Sequence, residues 1–383
     1  MQYRSTRGSK ENTLTAPQAI IQGLAQDGGL YVPVAFPQAN FKLEDLSKLS
    51  YKQIAAMVIS LFFDDFTKEQ ITTAVQSAYS EQWDDRSIVP IEKHDNRFYM
   101  ELFHGPTLAF KDIALQMLPQ LMTRAVQIEK IAKDIIILTA TSGDTGTASM
   151  RGFANQKGTD VIVFYPEGGV SPVQLKQMLS QRGNNLRAIA IKGNFDDAQT
   201  EVKKIFNDDS FKNRLNANGY QFSSANSMNI GRLVPQISYY LYTYGQLVRR
   251  QEIKLGDEVN FAVPTGNFGD ILAGYYAKKL GLPIKKLICA SNENNVLTDF
   301  FNNGVYDKRR KFHLTNAPAM DILVSSNLER LLFDLYDENN YEVASLMNQL
   351  TQRGHYQVSG EVFTKLQKNF AAGFATEEEV KSE

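Results

Sequence analysis

Two rhythms of hydrophobic positions divide the chain. Up to about residue 95, apolar residues recur at helical spacing and predict helices over residues 43–63 and 67–82. Asp27-Gly-Gly-Leu-Tyr-Val-Pro33 interrupts them as a Gly-Gly turn entering a short extended run that Pro33 stops. Asp84, Asp85, Arg86 and Pro90 mark a connection. From about residue 96 the pattern changes to short, continuous, β-branched runs of the kind buried on both faces of a parallel sheet. They predict strands over residues 134–141, 160–166, 186–193, 259–264 and 286–291. Helical stretches separate them, ending at Phe153 and covering residues 196–207, 233–247 and 271–280, the last closed by Gly281 and Pro283. Strands alternating with helices specify an α/β fold with parallel sheet flanked by helices on both faces. The chain thus divides into a mostly helical region at residues 1–95 and an α/β region at 96–383.

A length of 383 residues fits roughly two to three domains, with about three quarters of the unfolded surface buried on folding. The composition, 43% hydrophobic and 22% charged, is that of a globular protein and excludes a disordered or fibrous chain. A net charge of −1 offers no basic excess for nucleic acid and no acidic tail. No apolar run is long enough to span a bilayer, and the first residues lack the apolar stretch of a signal peptide. A single cysteine, Cys289, fits a reducing cytoplasm. His94, His104, His313 and His355 are too scattered for a metal site, so no metal is expected.

Ligands of open α/β sheets bind beyond the carboxyl ends of the strands. Two Gly-rich loops stand there, Ser142-Gly-Asp-Thr-Gly-Thr147 and Thr265-Gly-Asn-Phe-Gly-Asp270, each running into a helix whose first N–H groups suit an anion. Neither matches the nucleotide fingerprints, which disfavours a dehydrogenase or an ATPase. Upstream lies Glu101-Leu-Phe-His-Gly-Pro-Thr-Leu-Ala-Phe-Lys-Asp112. Gly105-Pro106-Thr107 reads as a turn and helix start, placing Lys111 in the first or second helical turn among Leu108, Ala109 and Phe110. Apolar surroundings and the helix dipole both disfavour an ammonium there, and a neutral lysine is what Schiff-base chemistry requires.

These segments, taken together, resemble threonine synthase, a pyridoxal-phosphate (PLP) enzyme of the tryptophan-synthase-β-like fold type II. Tyr3-Arg-Ser-Thr-Arg-Gly8 and Gly28-Gly-Leu-Tyr-Val-Pro33 are similar to that family's N-terminal domain, and Leu102–Asp112 to its PLP-lysine segment. Thr141-Ser-Gly-Asp-Thr-Gly146, Ala225-Asn-Ser-Met-Asn-Ile-Gly-Arg232, Pro264-Thr-Gly-Asn-Phe-Gly-Asp270 and Ser326-Asn-Leu-Glu-Arg-Leu-Leu-Phe333 extend the match in the same order. The resemblance implies a two-subdomain fold with parallel sheets and a catalytic Lys111 that carries PLP covalently and shuttles protons. It implies that Gly266, Asn267, Phe268 and Gly269 wrap the PLP phosphate. Ser142, Gly143, Asp144 and Thr145 would hold the substrate's α-carboxylate, Asp144 also approaching the cofactor. Asn226, Ser227, Asn229 and Arg232 would bind the substrate's phosphate; read without the resemblance, this stretch is a polar cap before a helix.

The implied reaction turns O-phospho-L-homoserine and water into L-threonine and phosphate, the last step of threonine biosynthesis, in the cytoplasm. A serine or threonine dehydratase, a cysteine synthase relative, and a PLP-binding protein without turnover remain alternatives at this point. The N-terminal region is expected to pack over the site as a lid or flank, with Tyr3, Arg7 and Gly29 in family-like segments. The resemblance also leads one to expect further chain beyond Glu383. Thr376-Glu-Glu-Glu379 reads as a capping box opening a helix with only Val380, Lys381, Ser382 and Glu383 to follow. A chain lacking that continuation is expected to bind PLP weakly or turn over poorly. Oligomeric state is not legible.

Overall fold

The structure, a computed structural model, describes residues 1–193 and 195–382, without the side chains of Asp196 and Lys203. Strands β1 (Gln2–Ser5), β2 (Leu14–Thr15) and β3 (Tyr31–Pro33) form an antiparallel sheet in the order β2-β1-β3, with α1 (Ala16–Gln22) between β2 and β3. The expected helix over 43–63 is two pieces, a 3-10 turn at Leu43–Ser47 and α2 (Tyr51–Phe62). Ser50 makes the break. Its hydroxyl accepts from Gln53 N–H while the Gln53 side chain accepts from Ser50 N–H, a reciprocal cap that can exist only at a helix start. Thr67 and Gln70 repeat the device at α3 (Lys68–Ala78), which stops at Tyr79, short of the expected residue 82. A hairpin, β4 (Ile91–His94) with β5 (Arg97–Met100), leads to the lysine segment.

The lysine helix is α4 (Asp112–Ile128), which begins one residue after Lys111 rather than before it. Then follow β6 (Asp134–Ala140), α5 (Asp144–Phe153), β7 (Thr159–Pro166), α6 (Pro172–Leu179), β8 (Leu186–Ile191), α7 (Phe195–Asn207), α8 (Asp209–Ala217) and β9 (Tyr220–Ser224). These strands form one parallel sheet, β8-β7-β6-β9. Next come α9 (Ile230–Arg249), β10 (Val259–Pro264), α10 (Gly269–Lys279), β11 (Ile284–Ser291), α11 (Val296–Asn303) and β12 (Val305–Asp307). The chain continues through α12 (Leu328–Leu335), α13 (Asn340–Arg353), β13 (His355–Gln357), α14 (Gly360–Asn369), β14 (Phe370–Phe374) and α15 (Glu377–Ser382). Strands β10 and β11 do not extend the first sheet. They build a second parallel sheet with β14, which the sequence pattern missed because Phe370-Ala-Ala-Gly-Phe374 is short and half small residues. The Thr376–Glu379 capping box is present and opens α15; Glu383, the last residue of that expected helix, lies outside the described residues.

Helix α9 is buried on every side through most of its length and packs against α2, α4 and α10, joining the N-terminal region to both sheets. Three strand-to-helix loops therefore meet at the carboxyl ends of parallel strands: β6 to α5, β9 to α9, and β10 to α10. Among the described residues, no helix is long and apolar enough to cross a membrane, and no cluster of side chains could hold a metal ion.

Lys111 heads α4 and Asp144 heads α5, and the two helices touch at Gly152. A Cβ there would stand 2.0 Å from the Leu115 carbonyl oxygen of α4. Alanine would gain about 1 kcal/mol of helix propensity. A backbone clash of this depth costs about 1–3 kcal/mol or more, so Gly152→Ala should lower the urea midpoint; an unchanged or higher midpoint would refute the packing.

His104 lies between carboxylates just before the lysine segment, Nδ1 2.6 Å from Asp84 Oδ1 and Nε2 2.8 Å from Glu101 Oε2. Burial acts to lower its pKa, but the two carboxylates outweigh it and the imidazole is raised above its ordinary value. A raised folded-state pKa contributes stability in full below the ordinary histidine pKa of about 6.5, and that stability is lost as pH rises through the folded value. The difference in melting temperature between the wild type and His104→Asn should therefore be larger near pH 6 than near pH 9. A difference that does not change with pH would exclude the charged clamp.

Candidate active site

A cavity of about 530 Å³ opens where the three loops meet, a size suited to a small molecule. Lys111 lies on its wall because of the turn before it. Gly105 admits Asp112 so closely that a Cβ would stand 2.5 Å from Asp112 Cβ. The buried Asp112 carboxylate accepts from both Thr107 N–H and Thr107 Oγ1 at 2.8 Å, and burial raises its pKa. Leu108 completes the turn with φ +59°, a conformation a branched side chain rarely adopts. Lys111 is the residue before the helix, and its Nζ donates to Asp144 Oδ1 at 2.7 Å, 5.6 Å from the centre of the Phe110 ring. The sequence reading surrounded this lysine with apolar residues alone. The structure adds the Asp144 carboxylate, which faces it within hydrogen-bond distance.

On the opposite wall, residues 265–269 join β10 to α10. The carbonyls of Gly266 and Asn267 turn outward: Ser325 Oγ donates to the first at 2.7 Å, and Asn327 N and Nδ2 both donate to the second at 3.1 Å. Phe268 stands at φ +63° and is locked there by stacking on Phe301 and packing on Phe370. No described group accepts from the N–H groups of Gly266, Asn267, Phe268 or Gly269, and Asn267 Oδ1 is buried without a partner. A row of unspent donors at the head of a helix is a cradle for a phosphate-type anion. It must stay narrow, because a Cβ on Gly266 would lie 2.7 Å from the Ala319 carbonyl oxygen.

The third loop carries the cavity's unpaired cation. Arg232, on the first turn of α9, is 3% exposed. Its Nη1 donates to Ala225 O at 2.9 Å, its Nε has no partner, and no described carboxylate pairs with it. Burial pushes its pKa down to about 10, with Asp144 acting in the opposite direction. A sealed guanidinium with donors to spare calls for an anion. Asn226 and Ser227 line the cavity beside it, the former anchored through Nδ2 to Ala140 O at 3.2 Å.

Most of the residues singled out in the sequence reach this cavity, but Ser142, Gly143 and Asn229 do not line it. Asn229 is fully buried as the cap of α9: its Oδ1 accepts from Gly231 N–H, and its Nδ2 donates to Ile20 O and Ser224 O. The plain capping interpretation of that residue is the one realised. Gly143 stands at φ +147°, where a side chain would strike Gln174, so it shapes the loop without facing the cavity. Thr141 Oγ1 accepts from both Gly143 and Gly146 N–H at 2.9 Å, and Asp144 Oδ1 from Thr145 N–H at 2.8 Å. The N-terminal region is not a lid, since nothing from residues 1–95 lines the cavity. It braces the loops from behind: Arg7 forks onto Glu329, Thr6 Oγ1 donates to the same carboxylate, and Arg330 Nε donates to Tyr31 O.

Sequence reasoning missed Gln174, Gln236 and Met320 on the walls, and Asn327 and Arg330 behind them. Gln236 stands one helical turn beyond Arg232 and could have been found from that spacing. Asn327 and Arg330 fall in the Ser326–Phe333 segment of the resemblance, which gave them no role; Gln174 and Met320 are brought in by tertiary packing and carry no local signal.

Known proteins agree with this geometry. Residues 2–79 match the family model "Threonine synthase N terminus", and residues 91–351 match "Pyridoxal-phosphate dependent enzyme". Threonine synthase of Saccharomyces cerevisiae is 38% identical across 98% of this chain and 76% of its own length. Human threonine synthase-like 1 is 40% identical across 94% of this chain and 50% of its own. The PLP-bound threonine synthase of Brucella melitensis superposes with a TM-score of 0.88 at 39% identity, over 99% of this chain and 79% of that one. With relatives this similar along nearly all its length, and a lysine, an anion cradle and a lone arginine facing one cavity, the chain belongs to the threonine synthase family of PLP-dependent enzymes.

Proposed function

We propose that the cavity converts O-phospho-L-homoserine and water to L-threonine and phosphate with PLP held by Lys111 and residues 266–269. One observation carries this reading: the cavity has two separate groups of donors without acceptors, the 266–269 N–H groups and Arg232, with a lysine in the same space. One site serves a phosphorylated cofactor and the other a substrate with a distal phosphate. Dehydratases and cysteine synthases handle substrates without that second phosphate, so the lone Arg232 favours the first reading. The cradle fits the cofactor phosphate because its donors are neutral and unspent, and the anion needs no lysine or arginine there. Residues 1–95 and 96–383 are proposed as the N-terminal domain and the catalytic region, and a cytoplasmic setting accords with the single buried cysteine.

Bound PLP supplies an electron sink at the substrate's α-carbon. The residues of this chain do the rest. Lys111 Nζ, directed into the cavity by Asp144, takes the α-proton and later returns protons at the substrate's carbons. Asp144 N–H, without a described acceptor, and Thr145 at the cavity wall receive the substrate carboxylate; Ser142 and Gly143, off the wall, give their loop its shape. Arg232 holds the distal phosphate with Asn226 and Ser227, and Asn229 contributes by fixing the helix end that carries Arg232. A β-proton is lost as the Cγ–O bond breaks and phosphate leaves, Cγ is then reprotonated, and water adds at Cβ.

Lys111→Ala should abolish the visible absorbance that develops when PLP is added to the protein. Retention of the band would remove Lys111 from the role. Arg232→Gln should lower kcat/KM for O-phospho-L-homoserine by about thirtyfold or more, the scale of an anion losing its buried partner, with PLP affinity unchanged. An unchanged kcat/KM would put the distal phosphate elsewhere, and turnover of serine or threonine in its place would favour a dehydratase.

A further inference from the structure

Arg330 is fully buried, lies outside the cavity, and reaches two distant segments of the chain and its near neighbour Asn327 at once. Its Nε donates to Tyr31 O in β3 at 3.0 Å, and its Nη2 to Met228 O at 2.6 Å. Its Nη1 donates to Asn327 Oδ1 and reaches Ser227 O at 3.5 Å. Each acceptor has a consequence. Ser227 and Met228 precede the turn that aims Arg232. Asn327, its amide oxygen held by Arg330, presents Nδ2 and its backbone N–H to Asn267 O, and so turns that peptide's carbonyl out and its N–H groups in. Burial lowers the guanidinium's pKa to about 10, a desolvation cost no directly bonded carboxylate offsets. A fixed planar fork can meet these acceptors together, whereas a lysine ammonium on a flexible stem cannot.

We propose that Arg330 is a positioning residue that shapes both anion sites with one side chain: the 266–269 cradle through Asn327, and the Arg232 site through the 227–228 carbonyls. This rests on the cradle being the PLP-phosphate site. The test compares affinities for PLP and for pyridoxal, which lacks the phosphate, in the wild type, Arg330→Lys and Asn327→Ala. The wild type should prefer PLP strongly. Both variants should lose about tenfold of that preference, the size of one strong hydrogen bond, while pyridoxal affinity stays within about twofold. A merely structural loss would weaken both ligands alike, and an unchanged preference in folded variants would overturn the proposal. Asn327→Ala carries the cradle half of the test if Arg330→Lys fails to fold. In PLP-loaded protein, inorganic phosphate should inhibit Arg330→Lys less strongly than the wild type and Asn327→Ala equally to it; equal inhibition of all three would overturn the distal half. A wild type without preference for PLP would instead refute the cradle reading itself, and this inference with it.

Discussion

The site depends on which way two peptide groups face. A loop that feeds a helix can bind an anion only if its N–H groups point inward, and each inward N–H leaves a carbonyl that must find a donor elsewhere. Here the carbonyls of Gly266 and Asn267 are taken up by Ser325 and Asn327, on the segment leading into α12. Glycine at 266 lets the 3-10 turn at Ala319 close over the loop, and the stacked Phe268 holds a backbone angle that would otherwise relax. The cradle is therefore a product of long-range packing on a loop whose composition only permits it.

Charge placement follows a second constraint. Lys111 and Arg232 share a cavity with Asp144, which faces the lysine at hydrogen-bond distance and opposes the burial of the arginine from farther away. The other carboxylate of the lining, Asp270, accepts from the Tyr239 and Tyr240 hydroxyls, so of the two only Asp144 is ion-paired, to Lys111. Asp144 also takes Thr145 N–H for itself. An aspartate beside a carboxylate-binding loop is tolerable on these terms because two cations face it.

What was legible in the sequence is what is local. The β-branched runs at 134–140 and 259–264 announced parallel strands, and the glycines after them announced anion loops, because both signals sit within a few residues of their effect. The division into two sheets was not legible, since β14 is recruited from more than a hundred residues beyond β10 and has a weak pattern of its own. Lys111 and Asp144 were both visible through the resemblance, but their pairing was not, because contact across 33 residues depends on α4 and α5 meeting at Gly152. Asn229 shows the converse: a polar residue in a binding motif whose side chain is spent on capping and on Ile20 of α1. The region expected to flank or cover the site supports it from behind, a difference set by where the aromatic face of α9 buries itself.

That support has a cost in time. Arg4 closes on Glu338 and Arg7 on Glu329, partners 334 and 322 residues further along the chain. Arg4 is 1% exposed in the finished protein, so its place is built by sequence that does not yet exist when it leaves the ribosome. At ordinary translation rates of about 5–20 residues per second, the first strands wait on the order of 15–60 s for their seat. During that interval β3 is an unsheltered edge and β1 holds a buried-type arginine in water, and the small N-terminal sheet can pair but cannot dock. Docking waits until α12 and the turn after it reach the surface that carries the cavity. In this chain the N-terminal strands are made first and seated late, and the contacts that brace the site from behind are among those with the longest wait.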